Sequence, residues 1–265
     1  MSIIVKAENL NFAYGSRKII ENLSFDINRN HITALLGSNG SGKTTLLKLI
    51  AGALLPESGT ISFNGKQIKE FSKKELAAKI AFVPQEKRDT FAFPVIEMTA
   101  MGRTPYTGFF AKLSKKDYQI AAESLEVMGA SHLASRYYTE LSGGEKQLVL
   151  IARAIAQDSE LHILDEPETG LDYGNRIKLL KSIQKLKSIG KTVIFTTHSP
   201  EHALWTADNT MLLKNGQIKA YGSTQSTLTE TSLSELYGER IIILQNPDTS
   251  QGNIMTCVPC PSTEN

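Results

Sequence analysis

Gly37-Ser38-Asn39-Gly40-Ser41-Gly42-Lys43-Thr44 fills every fixed position of the pattern G-x-x-x-x-G-K-[ST]. Ahead of it lies Ile32-Thr33-Ala34-Leu35-Leu36, a short apolar run of the kind buried on both faces of a sheet. Behind it, Leu46, Leu47 and Ile50 recur at helical spacing and predict a helix from about Lys43 to Ala51. Strand, glycine-rich turn and helix in this order make an anion cradle. The glycines let backbone N–H groups turn inward, and the helix start adds its positive end. Lys43 is expected to stand exposed until it meets the β- and γ-phosphates of a bound nucleotide, and the Thr44 hydroxyl to ligate Mg²⁺. Gly37, Ser38, Asn39, Gly40, Ser41, Gly42 and Thr45 complete the candidate nucleotide contacts.

Working outward, short strands alternate with helices. Leu23, Phe25 and Ile27 alternate with Ser24 and Asp26, and Phe12 and Tyr14 share the period of two. Ile61 and Phe63 precede Asn64-Gly65, a hairpin signal. Ile80–Val83 reads as a buried strand ending at Pro84-Gln85. From about Glu86 to Gln157 the strand signals stop. Ser114, with Asp117 three residues on, marks a helix start, and that helix stops near Gly129. A second helix runs from Ser142 to Ala156. The strand Leu161–Leu164 follows, then a helix from about Asn175 to Ser188 and the strand Thr192–Thr197. Ser199-Pro200 reads as a helix start with Ser199 as its cap, and Asn215-Gly216 as a second hairpin turn. The expected fold class is α/β: a P-loop NTPase core with a mainly parallel sheet, an N-terminal antiparallel β region and an inserted helical subdomain. Residues 1–240 are expected to form one domain with the helical insertion at about 86–157. Residues 241–265 form a C-terminal extension, expected to be loosely ordered from about Asn246.

Asp165 follows an apolar strand, where a carboxylate can hold Mg²⁺ beside the phosphates. Glu166 comes next and points another way, which suits a general base for the attacking water. Asp165-Glu166 taken alone reads equally as a solvated acidic turn. His162 interrupts the apolar run and reads as a strand residue with a satisfied ring. Ser142-Gly143-Gly144-Glu145 has capping-box spacing, and its glycines leave the first N–H groups of a helix uncovered. It reads as a second phosphate-binding helix start, although propensity alone favours a plain capped helix.

The 265 residues carry 29 Lys and Arg against 27 Asp and Glu, a net charge of +2. That balance gives no global field for nucleic acid or an anionic membrane. Apolar content of 41% and charged content of 21% exclude disorder and a disulfide scaffold. No apolar run reaches the roughly 18 residues of a membrane span, and the N-terminus lacks a signal-peptide pattern. Cys257 and Cys260 form a CxxC that supplies only two of four zinc ligands. They read as two reduced thiols on a mobile tail.

Taken together, Gly37–Thr44, Gln85, Leu141–Glu145 with Lys146-Gln147, Leu161–Pro167, Thr169-Gly170-Leu171-Asp172 and His198 resemble the nucleotide-binding subunit of an ABC transporter. The resemblance covers roughly Ile3 to Arg240. It implies two chains paired head to tail, each ATP lying between one chain's Gly37–Thr44 and the other's Ser142–Glu145. It further implies that Gln85 senses Mg²⁺ and the γ-phosphate, that His198 is the switch histidine, that Asp172 lies at the dimer seam and that Tyr14 stacks on adenine. Taken alone, Tyr14 reads also as a strand-face aromatic and His198 as a polar strand-end residue. Glu145 stands where Gln is frequent in the family, and Glu168 where Thr is frequent. Neither change touches the implied chemistry.

Met101-Gly102-Arg103-Thr104-Pro105-Tyr106 resembles the same stretch in importers of iron–siderophores, haem, vitamin B12, molybdate and tungstate. The expected function is an ATPase subunit energising uptake of such a metal chelate, with ATP and Mg²⁺ as cofactors. Its expected partners are a second copy, transmembrane permease subunits and, indirectly, a substrate-binding protein, but no nucleic acid. Its expected place is the cytoplasmic face of the membrane. Arg103 and Tyr106 are expected to offer a hydrogen-bonding fork and an aromatic face to the permease. The alternatives are an ABC ATPase of another importer or exporter, or a soluble one serving a task such as iron–sulfur assembly.

Overall fold

Period-two patterning near the N-terminus becomes a ladder. In the computed structural model, which describes residues 2–85, 92–107, 112–246 and 254–260, β1 (Ile3–Tyr14) pairs antiparallel with β2 (Arg17–Asn28). The chain continues through β3 (Ile32–Leu36), α1 (Lys43–Ile50), β4 (Ser58–Phe63) and β5 (Lys66–Gln67). Next come α2 (Lys73–Lys79), β6 (Ile80–Val83), α3 (Val95–Ala100), α4 (Lys115–Val127), α5 (Gly143–Ala156), β7 (Leu161–Leu164), α6 (Tyr173–Ser188) and β8 (Thr192–Thr197). The last elements are α7 (Pro200–Thr206), β9 (Asn209–Lys214), β10 (Gln217–Ser223), α8 (Thr224–Thr227), α9 (Glu230–Tyr237), β11 (Ile241–Asn246) and β12 (Ile254–Pro259).

Contacts divide the chain into two units, Met1–Gln67 with Ile194–Asn265, and Ile68–Val193. The first unit holds an antiparallel sheet in the order β2-β1-β4-β5, and a second row, β10-β9-β3-β8. In that row β3 pairs parallel with β9, and the Asn215-Gly216 turn joins β9 to β10. Every residue of β3 is buried, as its unbroken apolar run requires. Asn64 and Gly65, both at positive φ, make the turn between β4 and β5.

The second unit pairs β6 parallel with β7 and carries the helices α2 to α6. Among its described residues, 92–157 contain no named strand, as the loss of strand signal predicts. The sequence reading passed over α2, whose Ser72–Glu75 capping box is complete, and the short α3. His162 is fully buried on β7. Its Nε2 lies 3.2 Å from the Ala154 carbonyl, but its Nδ1 has no hydrogen-bond partner, so the ring is only half satisfied.

The C-terminal extension departs most from expectation. β11 and β12 form an antiparallel hairpin in register from Ile241–Pro259 to Asn246–Ile254, so Cys257 lies on a strand. Main-chain pairing of the apolar run Ile241–Leu244 with β12 overrode a locally polar composition. The expectation for the chain end at 261–265, and for 247–253, lies outside the described residues.

Burial holds the His162 pKa down at about 4, against 6.5 for the free side chain. A group with a lowered folded pKa takes its proton first in the unfolded chain. Stability should therefore be complete above about pH 6.5 and fall by about 1.4 kcal/mol per pH unit down to about pH 4. Urea unfolding of wild type and His162→Gln at pH 7 and pH 5 checks this. The stability lost between the two pH values should shrink in the variant.

Candidate nucleotide and hydrolysis site

The phosphate loop of the first unit is built by exclusion. Gly37 is packed so closely that a Cβ would strike the Leu213 carbonyl and lie 2.6 Å from Ser41 Oγ. Gly40 and Gly42 adopt φ of 78° and 105°, where a side chain is strained. The Gly216 N–H donates to the Ser41 carbonyl at 3.1 Å, and the Gly216 carbonyl accepts from the Glu21 N–H at 3.0 Å. The second hairpin turn thus seats the loop, a role invisible in the sequence because only folding brings Gly216 to Ser41.

Helix α1 has no side-chain cap and no acidic residue in its first turn. Its positive end is left for an anion. The Ser41 hydroxyl is buried without a hydrogen-bond partner, a polar atom that a phosphate oxygen would satisfy. Lys43 corrects the sequence expectation. It is 5% exposed, and its Nζ donates to the carbonyls of Gly37 at 2.9 Å and Ser38 at 3.2 Å. The loop therefore stores the ammonium against its own carbonyls, since a buried cation needs oxygen partners. Thr44 is half-buried and Thr45 buried, while Ser38, Asn39 and Gly40 are exposed. Tyr14 stands half exposed at the end of β1, edge-on to Phe12 with centroids 4.9 Å apart. His198 is exposed in the turn after β8.

The second unit carries the carboxylates. Asp165 is 2% exposed, and its N–H donates to the Val83 carbonyl at 2.9 Å, extending the β6–β7 pairing by one residue. Glu166 then turns to φ 45°, a left-handed conformation that a non-glycine residue adopts only when its surroundings enforce it. The Gln85 Nε2 donates to Glu166 Oε2 at 2.6 Å, so two residues with separate sequence readings meet. Thr169 Oγ1 reaches the same oxygen at 3.5 Å.

Ser142 forms the expected capping box: the Glu145 N–H donates to Ser142 Oγ at 3.3 Å, and Glu145 Oε2 accepts from the Ser142 N–H at 2.8 Å. These bonds, from the Ser142 backbone first and its hydroxyl second, hold the Glu145 carboxyl below the usual carboxylate range. The helix start is thus not uncovered throughout, because the Glu145 amide is already capped. Ser142 and Gly143 are exposed, whereas a Cβ on Gly144 would lie 2.7 Å from Asn175 Nδ2. Asn175 in turn donates to both carboxylate oxygens of Asp172, from its N–H and from its Nδ2, each at 2.8 Å. Asp172 therefore caps α6, and Asn175, which the sequence reading missed, ties it to the Ser142–Glu145 helix start.

Residues 20–169 match the profile of the ABC transporter family. The chain belongs to that family. Its relatives include the molybdate import ATP-binding protein MolC of Haemophilus influenzae, 39% identical over 89% of this chain and 89% of that protein. The iron(3+)-hydroxamate import ATP-binding protein FhuC of Bacillus subtilis is 33% identical over 95% of this chain and 94% of its own length. Among solved structures, an inward-facing putative metal-chelate type ABC transporter matches with a TM-score of 0.87 at 36% identity, covering 99% of both chains. The chain is an ATPase with the ABC ATPase fold. No described helix is long and apolar enough to cross a membrane.

The remaining sequence motifs separate clearly. Among the described residues no group of three or more His, Cys, Asp or Glu could hold a metal ion. Burial, and then the Glu201 carboxylate, push the Cys257 thiol up to about 11, so it stays protonated and is a poor metal ligand. Arg103 does not offer a fork outward. Its Nη1 donates to the Ala156 carbonyl at 2.9 Å, its Nε lies 3.3 Å from Asp117 Oδ1, and it stacks 4.1 Å from the centre of the Tyr106 ring. The Tyr106 hydroxyl donates toward the carbonyls of Gln157 and Ala78. The motif fixes a turn by internal bonding, which a reading of exposed residue types could not foresee.

Lys43→Ala removes a charge-assisted donor, a contact worth about 1.5–3 kcal/mol. Nucleotide affinity should fall about 10- to 150-fold, read by ATP titration. Circular dichroism checks that the loop's loss of its own Lys43 bonds leaves the fold intact.

Proposed function

We propose that this chain is the ATP-hydrolysing subunit of an importer for a metal chelate or a related oxyanion: iron–siderophore, haem, cobalamin, molybdate or tungstate. The observation that carries the reading is the likeness to a metal-chelate type transporter over 99% of the chain, C-terminal extension included. Relatives named for molybdate and iron–hydroxamate import support it. Uptake of those five solutes by cells with and without the chain is the test. Uptake of one class should be lost, and unchanged uptake of all would exclude the reading.

In this reading the Gly37–Thr44 backbone and Lys43 bind the phosphates, and Tyr14 stacks on the adenine. Thr44, Asp165 and Gln85 would hold Mg²⁺; the donor set of hydroxyl, carboxylate and amide oxygens suits that hard cation. Bound Mg²⁺ would neutralise charge on the β- and γ-phosphate oxygens. Glu166 accepts the proton of the attacking water, with Gln85 and Thr169 orienting its carboxylate until substrate arrives. His198 meets the γ-phosphate. Glu166→Gln keeps the acceptor of Gln85 but cannot take a proton. It should bind ATP with near wild-type affinity and lose about 10²- to 10⁴-fold in kcat.

Two copies pair head to tail, Ser142–Glu145 of one closing on the nucleotide of the other. Ser142→Arg would block that docking while sparing ATP binding to its own chain. A mixture of Ser142→Arg with Lys43→Ala should regain activity through one intact composite site. Absence of recovery between folded, pairing chains would count against this arrangement.

The permease is proposed to dock in a groove of about 760 Å³ in the second unit, lined by Lys73, Lys74, Ala77, Thr104, Pro105 and Arg153. Arg103 is bonded within the protein beside this groove, while Tyr106 keeps an exposed aromatic face. Docking at the membrane's cytoplasmic face would make the chain peripheral. Reversing charge with Lys73→Glu and Lys74→Glu should weaken permease pull-down while leaving the isolated subunit's ATPase activity near wild type.

A further inference from the structure

Helix α9 is bonded to the loop that carries His198, and the described part of the C-terminal extension to α7, which follows that loop. The Tyr237 hydroxyl, at the end of α9, donates to the His198 backbone carbonyl at 3.2 Å. The Cys257 N–H, on β12, lies 3.3 Å from Glu201 Oε1. The other oxygen of that carboxylate, Oε2, accepts from Ser199 Oγ at 2.6 Å. This last bond corrects the sequence reading, in which Ser199 was to cap α7. The structure gives α7 no side-chain cap, because the hydroxyl is turned to Glu201 instead. The Ser199 N–H donates to Thr197 Oγ1 at 3.0 Å and closes the turn from the strand side.

The hairpin is itself anchored. The Ile241 N–H donates to Ser234 Oγ at 3.0 Å and the Ile243 N–H to Glu230 Oε1 at 2.9 Å, both acceptors on α9. The Cys260 N–H donates to the Arg240 carbonyl at 2.8 Å. Burial raises the Tyr237 phenol well above its ordinary range, so it remains a donor at any working pH. The imidazole of His198 is exposed, yet its backbone and the next residue are held from the C-terminal side by two independent groups.

We propose that α9, β11 and β12 form a positioning device for the switch-histidine loop, in which Tyr237 holds the His198 carbonyl and Glu201 the neighbouring Ser199 hydroxyl, so that the His198 side chain meets the γ-phosphate in one orientation. The inference rests on the reading of His198 given above. Hydrolysis is sensitive to placement: a shift of about 1 Å can cost about 100-fold in rate. ATP binding, which rests on the Gly37–Thr44 loop and Tyr14, does not pass through this network. Tyr237 and Glu201 touch no substrate and act through His198.

The test is a double-mutant cycle on the full chain. Tyr237→Phe removes one hydroxyl and keeps the ring. It should lower kcat about 2- to 10-fold, the loss equivalent to one hydrogen bond, with KM and ATP affinity unchanged. In a His198→Ala background the same change should have no further effect on kcat, because the residue it positions is gone. Glu201→Ala should behave like Tyr237→Phe, and Glu201→Gln should restore most of the rate, since the amide can accept from Cys257 and donate to Ser199. Trp205 on α7 is the only tryptophan of the chain, so its emission reports whether the helix has kept its packing. Unchanged kcat in Tyr237→Phe and Glu201→Ala, with His198→Ala strongly impaired, would overturn the positioning role alone. An equal loss in both backgrounds would overturn it as well, showing that Tyr237 does not act through His198. Normal turnover in His198→Ala would remove the underlying reading of the histidine, and the proposal with it.

Discussion

An α-helix leaves its first N–H groups without intrahelical partners, and where those donors go organises this chain. Ser72, Ser114, Ser142, Asp172 and Thr229 each cap a helix with a side-chain oxygen. Helix α1 breaks the pattern: Gly42 offers no side chain, and no acid occupies the first turn. The loop before it is shaped by glycines that other residues cannot replace without collision or strain. A buried serine hydroxyl and a stored lysine complete a site whose polar groups await an anion. Helices α3 and α7 also lack a side-chain cap but carry an acid in the first turn, so α1 is the described α-helix whose start has neither and is left most open to an anion.

The hydrolytic side rests on a different constraint. Glu166 sits in a left-handed conformation directly after a buried strand. Such a turn directs consecutive carboxylates to different neighbours, which is what separate roles for Asp165 and Glu166 require. Gln85 and Thr169 both donate to Glu166 Oε2 and hold one oxygen of its carboxylate.

Much of this was legible in the sequence, and the limits have physical causes. The phosphate loop and its flanking strand and helix could be read because local backbone demands dictate residue type at each position. Capping boxes at Ser114 and Ser142 were equally visible, since their partners lie three residues away. Contacts between distant segments left no local trace: Asn175 behind Gly144, Gly216 beneath Ser41, Tyr237 against His198. Exposure was misjudged for Lys43 and Arg103, because both long side chains find backbone carbonyls that no pattern of residue types announces. The β11–β12 hairpin escaped notice because its stability comes from strand pairing and anchorage on α9 and α7, outside its own composition.

The first unit is assembled from the two ends of the chain, and the Gly216 turn that seats the phosphate loop lies more than half the sequence away from it. During synthesis the loop emerges early, but its seat arrives late. Contacts of such long sequence separation form slowly, because the loop between them must first be closed. The second unit is contiguous and can gather its helices while the first still waits for β9 and β10. A nascent or truncated chain therefore carries the whole phosphate-binding motif without the surface that shapes it.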